Sequence, residues 1–217
     1  MIYIAKLMIY TQSWIRKMSD DPRLQPLAAF TPEGRLTPGY GDSYLFFVGR
    51  DDVHGILHYL IPQERLFFKL NMFGYDDEEL NMDILDLFKD PSVHVQISLD
   101  KSQAGGVHER AIIAADESKD PEDFSSSFVI LQSATHQISH TKGGVLAGQG
   151  IYFEGSTNWS NSGEGTGISL KPDTANPSGF KAQNNTLLVS TNPVNLARFS
   201  IQLDIEHKIG LMQRSKK

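Results

Sequence analysis

The chain has 217 residues with 40% hydrophobic and 21% charged side chains, a composition that excludes a disordered or fibrous protein and fits one domain with an extension. Cysteine is absent, which excludes disulfides, thiolate metal sites and cysteine nucleophiles. The net charge is −6, but residues 138–217 carry 8 basic and 5 acidic side chains, against 6 and 17 in residues 51–137. The C-terminal part is therefore better suited to an anionic substrate.

The N-terminal segment predicts neither a signal peptide nor a membrane span. Residues 1–10 are apolar, but Lys6 interrupts the run and no small-residue cleavage site follows. No stretch reaches the roughly 18 apolar residues of a transmembrane helix. We therefore expect a cytoplasmic protein without stable membrane insertion.

Two regions are expected along the chain. Residues 1–43 form a strand over 2–10 and then an irregular extension, rich in proline and glycine, that lies over the domain. Residues 44–217 form the domain itself. Its predicted elements are, in order, helix 51–60, strand 65–73, helix 76–88, strand 93–99, helix 108–116, loop 116–127, strands 128–132, 138–146, 150–155 and 186–190, and helix 193–211. This alternation predicts an α/β fold, a mixed β-sheet flanked by helices on both faces, with no internal repeat.

Residues 139–160 bring together side chains suited to phosphoryl chemistry. His140 and Lys142 lie two apart on a predicted strand, so both project from one face. Ser156 and Asn158 have the same spacing at the end of the next strand. If the strands form a hairpin, one surface carries a nucleophile or proton carrier, a fixed cation and neutral donors for phosphoryl oxygens. Cleavage of a phosphodiester by this set requires no metal.

The sequence His-Thr-Lys at 140–142, followed after a spacer by Gly-Ser-Thr-Asn at 155–158, resembles the HxK and GSxN motif of the phospholipase D superfamily. The likeness extends more loosely over residues 44–207 in the order of elements. It implies an α/β/α fold and a metal-independent phosphodiesterase that uses no cofactor and forms a phosphohistidine at His140. Chains of this length with one motif resemble small bacterial endonucleases, so the expected substrate is DNA or RNA. The alternatives are a lipid phosphodiesterase and an inactive module that binds nucleic acid or protein.

Two positions depart from the family pattern. The family's usual aspartate, five residues beyond the lysine and often structural, falls on Ala147 or Gly148. The family also commonly carries a carboxylate or amide before its Asn-Xaa-Leu-Leu-Val type strand, and this position is Asn184, which could orient the motif histidine. Glu154 or Glu164 could supply a carboxylate instead.

The remaining histidines predict packing rather than metal binding. His54 and His58 have the i, i+4 spacing of a helical metal pair, but Gly55 stands where a zinc protease carries its glutamate, and no third ligand is nearby in sequence. No metal site is therefore predicted. His136 is expected to pack at a strand end or, in a monomer, to line the cleft as a second catalytic group.

The single motif predicts a symmetric homodimer with a shared active site. Two-step phosphoryl transfer needs a nucleophile and a separate acid for the leaving oxygen, and one histidine cannot stand on both sides of the phosphorus. A two-fold axis is the simplest source of a second imidazole. The apolar stretch 143–153 and the turn at Trp159 are the expected interface.

Overall fold

The structure is a computed structural model that describes residues 19–101, 106, 110–111, 114, 127–132, 139–166 and 181–214. Its strands are β1 (Ser43–Phe47), β2 (Phe67–Met72), β3 (Tyr75–Asp76), β4 (His94–Asp100), β5 (Phe128–Leu131), β6 (Lys142–Leu146), β7 (Ile151–Gly155), β8 (Trp159–Ser160) and β9 (Thr186–Ser190). Its helices are α1 (Val53–Leu60), α2 (Glu78–Lys89), α3 (Asn161–Glu164) and α4 (Pro193–Arg214), with 3-10 helices at Gln25–Phe30 and Ile61–Gln63. The predicted strand 2–10, most of helix 108–116 and of loop 116–127, and His136 lie outside the described residues.

Seven strands form one mixed sheet in the order β1-β9-β7-β6-β2-β4-β5. Strands β2, β4 and β5 run parallel, and the remaining neighbours pair antiparallel. In the β6–β7 hairpin, Gly143 lies opposite Glu154. A second sheet consists of β3 and β8, with Tyr75 opposite Trp159. Because β3 closely follows β2 and β8 closely follows β7, this small sheet joins the ends of two strands of the large one.

Helices cover both faces of the large sheet. On one face, alternate residues of the strands, such as Phe68 and Phe153, pack with α1, α2 and the N-terminal 3-10 helix in the main core. On the other face, Val145 and Tyr152 pack against Leu203 of α4. Each fully buried side chain of this size contributes about 1.5–3 kcal/mol relative to exposure. The predicted fold class, a mixed sheet between helical layers, is confirmed.

Helix α4 contacts the parallel strands largely through polar groups. Lys69 on β2 donates to the Asp204 carboxylate at 2.6 and 2.8 Å, and Ser98 Oγ on β4 lies 3.0 Å from His207 Nδ1. The helix also approaches β5 closely at Gly210, where an added Cβ would lie 2.6 Å from a side-chain carbon of the strand. Directional bonds and a glycine contact therefore fix how α4 sits on the sheet.

The sequence predicts most of these elements. Predicted helices 51–60, 76–88 and 193–211 correspond to α1, α2 and α4, and predicted strands 65–73, 93–99, 128–132, 150–155 and 186–190 correspond to β2, β4, β5, β7 and β9. Strand β6 begins at Lys142, so His140 precedes it. The sequence does not predict β1, and Leu24 and Leu27 of the N-terminal extension are fully buried in the main core.

Most of the expected dimer interface is buried inside the chain, so any interface there would involve only its exposed turn. Strands β6 and β7 lie inside the large sheet, and all residues of β6 are buried. Trp159 is 1% exposed and stacks near Phe153 in the core. The apolar character of these residues thus reflects the interior of the chain itself, whereas residues 147–150 at the β6–β7 turn are exposed or half-buried.

Candidate active site

His140 and Lys142 meet at the start of β6. The Lys142 side chain is buried, whereas His140 is exposed. Lys142 Nζ donates to the His140 carbonyl oxygen at 3.0 Å and lies 3.1 Å from each ring nitrogen. Burial lowers the pKa of Lys142, and among the described residues no carboxylate pairs with it. An accessible imidazole therefore lies beside an ammonium that no acidic group neutralises, which suits an anionic substrate.

Phe73, just after β2, fixes this pair from one side. Its ring centroid lies 4.5 Å from that of His140, with the planes at 59°, and 5.0 Å from Lys142 Nζ. The contact with the ammonium has cation–π geometry, which is favourable without neutralising the charge. Both functional groups are thus positioned by an apolar neighbour.

Asn158 is held against the same end of β2 through Gly74. The Gly74 N–H donates to Asn158 Oδ1 at 3.2 Å, and the Trp159 N–H donates to the Gly74 oxygen at 2.8 Å. A Cβ on Gly74 would lie 3.0 Å from the Asn158 side chain, so only glycine allows this approach without displacement. Because Oδ1 is engaged, the Asn158 NH2 group remains as the donor of the amide. Asn158 is therefore held next to Gly74, the residue that follows Phe73 in the chain, and its role beside His140 stays a prediction.

Ser156 and Asn184 occupy different positions. The Ser156 hydroxyl accepts from the Thr186 N–H at 3.0 Å, and its backbone N–H donates to the Thr186 oxygen at 3.1 Å. The Ser156 side chain thus extends the β7–β9 pairing. Asn184 is exposed ahead of β9. Among the described residues, neither side chain contacts His140, and their place in the site stays a prediction.

The two glutamates considered as partners of His140 lie elsewhere. Glu154 is exposed on the face covered by α4, where it lines a groove with Arg198 and Gln202. Glu164 is fully buried, and its Oε2 lies 3.7 Å from His54 Nε2. In the part of the chain that the structure describes, no carboxylate contacts the His140 ring.

Ser139 connects the segment that contains His140 to the rest of the domain. Its N–H donates to Asp100 Oδ2 at 2.9 Å, and its hydroxyl donates to Glu206 Oε2 at 3.1 Å. These bonds connect the residue before His140 to the end of β4 and to α4. Sequence reasoning did not assign Phe73, Gly74 or Ser139 to the site. The only signal for them is their position at strand ends beside the motif strand.

Comparison with solved structures identifies the fold. The chain is similar to Nuc from Salmonella typhimurium, a phospholipase D family member, with 13% identity, a TM-score of 0.52, and coverage of 78% of this chain and 97% of that one. NucT from Helicobacter pylori gives 17% identity, a TM-score of 0.56, and coverage of 76% and 95%. The chain has the phospholipase D fold.

Other comparisons extend or limit this similarity. Phosphatidylserine synthase from Haemophilus influenzae Rd KW20 shares the phospholipase D fold at 12% identity and a TM-score of 0.52, over 74% of this chain and 36% of that one. No family model matches the sequence, and no curated protein matches it. The resemblance thus rests on the fold and on the motif residues themselves.

A buried carboxylate does serve the β6–β7 turn of this phospholipase D fold, although the motif aspartate is missing. It comes from Glu64, which is 0% exposed. The Gly148 N–H donates to both Glu64 oxygens at 2.9 and 3.2 Å, and Oε1 also accepts from three consecutive N–H groups at the start of β2. A Cβ at Gly148 would lie 2.5 Å from Oε1. Glu64 thus binds the backbone of the turn at Gly148, one of the two positions on which the family's usual aspartate falls.

The fold also bears on membrane association. Within the described residues, none of the helices combines the length and apolar character that crossing a bilayer requires.

Proposed function

We propose that the chain is a metal-independent phosphodiesterase, an endonuclease that cleaves DNA or RNA through a phosphohistidine on His140. The observation that carries the proposal is the exposed imidazole of His140 beside the Lys142 ammonium, 3.1 Å away, with no carboxylate paired to that ammonium among the described residues. Asn158, held against Gly74, is the proposed neutral donor. A phosphodiester is the substrate that uses all three groups.

The chemistry requires two imidazoles. A ring nitrogen of His140 attacks the phosphorus, forming a P–N bond as the P–O bond to the leaving group breaks. A second imidazolium gives its proton to the leaving oxygen, and the resulting imidazole then takes a proton from water as water attacks phosphorus and the P–N bond breaks. Lys142 and Asn158 bind the phosphoryl oxygens, whose negative charge grows in each transition state.

A second copy of the chain is the proposed source of the second imidazole. No histidine other than His140 reaches the Lys142 ammonium among the described residues. A symmetric homodimer would place two His140 rings on opposite sides of one phosphorus. Chains with His140→Ala mixed into the wild type should then form heterodimers with almost no turnover. Full activity of a monomer in sedimentation analysis would refute this shared site.

Nucleic acid is the proposed substrate class, and lipid is the second candidate. The similarity to Nuc and NucT spans 97% and 95% of those chains, which have about the size of this domain. A lipid phosphodiester remains a candidate because phosphatidylserine synthase shares the fold at a similar TM-score. The polar phosphodiester chemistry at His140 would be the same for both.

A substrate panel tests the proposal. The purified chain is incubated with plasmid, single-stranded DNA, RNA and phosphatidylcholine vesicles in the presence of EDTA. Cleavage of at least one nucleic acid that disappears in His140→Ala supports it. The matched control is His94→Ala, since His94 is an exposed histidine on β4 with no contact to Lys142. No cleavage of any nucleic acid by the wild type, or equal cleavage by His140→Ala, would contradict the proposal.

A further inference from the structure

A buried group of titratable side chains lies outside the candidate active site. His54 on α1, Asp77 at the start of α2 and Glu164 at the end of α3 each present one ligand atom within 4.8 Å of the others. His54 Nε2 lies 3.4 Å from Asp77 Oδ1 and 3.7 Å from Glu164 Oε2. All three residues are buried. Elements that are far apart in sequence thus converge on one small volume.

Glu164 is the unexplained member of this group. Its side chain is 0% exposed, and neither carboxylate oxygen has a hydrogen-bond partner among the described residues. A buried carboxylate without donors is costly, and such groups in proteins usually pair with a cation or bind a metal. The unsatisfied oxygens lie near His54 Nε2, which also contacts Asp77 Oδ1, and an imidazole is a metal ligand in its neutral form.

Helix caps hold the two carboxylate residues in place. Asp77 caps α2 by accepting the Leu80 N–H on Oδ1 at 2.8 Å, and this bond holds its carboxylate beside His54. The Ser160 hydroxyl caps α3 by accepting the Gly163 N–H at 3.1 Å, and this turn carries Glu164 into the core. These bonds are fixed by the chain's own folding, so the ligand positions exist before an ion arrives.

We propose that His54, Asp77 and Glu164 form a binding site for a divalent transition metal, with Zn²⁺ as the preferred ion. One imidazole nitrogen and two carboxylates are a ligand set that zinc accepts, and the two negative charges balance the ion. Mg²⁺ is disfavoured because it prefers oxygen ligands and retains its waters. Glu79 lies at the exposed rim, with Oε2 3.7 Å from His54 Nε2, where it could attract the ion from solvent.

An ion bound at this site would stabilise the position of the small β3–β8 sheet. Asp77 directly follows β3, and α3, which ends at Glu164, directly follows β8. The same sheet is bordered by Gly74 and Asn158, which belong to the candidate active site. A bound ion would therefore fasten α1 to the two segments that carry these residues, while taking no part in the chemistry at His140.

Direct titration tests the proposal on the full chain after dialysis against a chelator. Wild type should bind one Zn²⁺ per chain in isothermal titration calorimetry, with weaker binding of Mn²⁺ and none of Mg²⁺ under the same conditions. Free Zn²⁺ at about one hundred times Kd should raise Tm by roughly 5–10 °C. The absence of saturable Zn²⁺ binding to wild type would overturn the proposal, whatever the behaviour of the variants.

The variants distinguish this site from other histidines. Glu164→Gln keeps the shape of the side chain, so it should melt at or above the wild-type temperature in chelator, yet lose the Zn²⁺-dependent rise and at least about 100-fold in affinity. His58→Gln is the matched control, because His58 stacks parallel to His54 one turn along α1 and bonds Asp83 instead. Unchanged Zn²⁺ binding by Glu164→Gln, or loss of binding in His58→Gln alone, would refute the site. Neither result bears on whether the chain cleaves phosphodiesters.

Discussion

The His140–Lys142 pair and the His54–Asp77–Glu164 group have opposite imbalances of charge. At the first, a buried ammonium has no acidic partner among the described residues and adjoins an exposed imidazole. At the second, two buried carboxylates lie beside one imidazole, and one of them accepts no hydrogen bond within the described part of the chain. Since an uncompensated charge is costly to bury, each imbalance indicates what is missing. The first lacks an anion and the second lacks a cation.

The comparison also separates chemistry from stability. His140 is exposed and its removal opens no cavity, whereas the second group joins α1, α2 and α3 inside the core. We therefore expect changes at the first site to alter turnover at constant stability, and changes at the second to alter stability at constant turnover.

Replacing His140 should have the largest effect. His140→Ala removes the proposed nucleophile, so turnover should fall by about 10⁴-fold or more. Its free energy of unfolding should stay within about 0.5 kcal/mol of wild type, because an exposed side chain contributes little to the core. Steady-state cleavage and urea unfolding measure the two quantities. A His140→Ala variant that is inactive because it is unfolded would contradict the expectation that this site affects turnover and not stability.

Lys142→Met should lower kcat by about 10²–10³-fold, the usual loss when one preorganised donor to the developing charge is removed. Its stability should be unchanged or higher, since methionine fills a similar volume without a buried charge. Single-turnover rates at saturating substrate, together with urea unfolding, test both parts. A large drop in stability with a normal rate would make Lys142 a structural residue.

Two buried glutamates allow a comparison between a carboxylate that accepts hydrogen bonds and one that does not. Glu64 accepts four backbone N–H groups, whereas Glu164 has no hydrogen-bond partner among the described residues. Glu64→Gln should therefore cost about 2 kcal/mol of unfolding free energy, in line with bonds to a charged acceptor. Glu164→Gln measured in chelator should cost nothing. Equal losses of unfolding free energy in the two variants, measured by urea unfolding, would contradict this difference between the two carboxylates.

Gly74→Ala should have a smaller effect on turnover at the His140–Lys142 site. The added Cβ would lie 3.0 Å from the Asn158 side chain, which must shift by a few tenths of an ångström. Because catalysis is sensitive to such displacement, kcat should fall about tenfold with little change in Tm. Gly34→Ala serves as a comparison for glycine replacement, since no atom lies near its Cβ position, although its φ of 62° adds strain. Normal kcat in Gly74→Ala would show that Asn158 need not be held in this position.

Chelation should have the smallest effect on turnover. EDTA should lower Tm because it removes the proposed ion from the His54–Asp77–Glu164 group. The cleavage rate at 25 °C should stay unchanged, because none of these proposed metal ligands contacts His140 in the described part of the chain. Rates and melting curves recorded on one sample test this directly. Complete loss of activity in EDTA, restored by a divalent ion, would show that catalysis depends on metal.

Sequence patterns predicted the elements that depend on local periodicity and missed those that depend on distant partners. Strands β2, β4 and β9 carry their own apolar runs. Strand β1 is defined by its pairing with β9, Ser43 opposite Ser190, which no local signal reveals. The apolar residues of 143–153, which the sequence suggested as an interface, belong largely to the interior of the sheet.

The same contrast holds for the two sites. His140 and Lys142 share a local motif, so the sequence predicts that they lie together, and the structure shows this contact and bonds Asn158 to Gly74, next to Phe73. The sequence found no third ligand for His54, because Asp77 and Glu164 approach it only after α2 and the turn following β8 have formed. Motifs within one hairpin can be predicted from spacing, whereas a cluster built from three helices requires the fold.

The most direct test of the account is to trap the intermediate on His140. Cleavage of a nucleic acid that the wild type accepts is stopped with alkali, which preserves phosphohistidine, and the peptide that contains His140 is analysed by mass spectrometry. The account predicts a phosphoryl adduct on His140 that forms and decays at rates consistent with turnover, and that is absent from His140→Ala. Full turnover with the adduct on another residue, or with the His140 peptide recovered only unmodified, would contradict it.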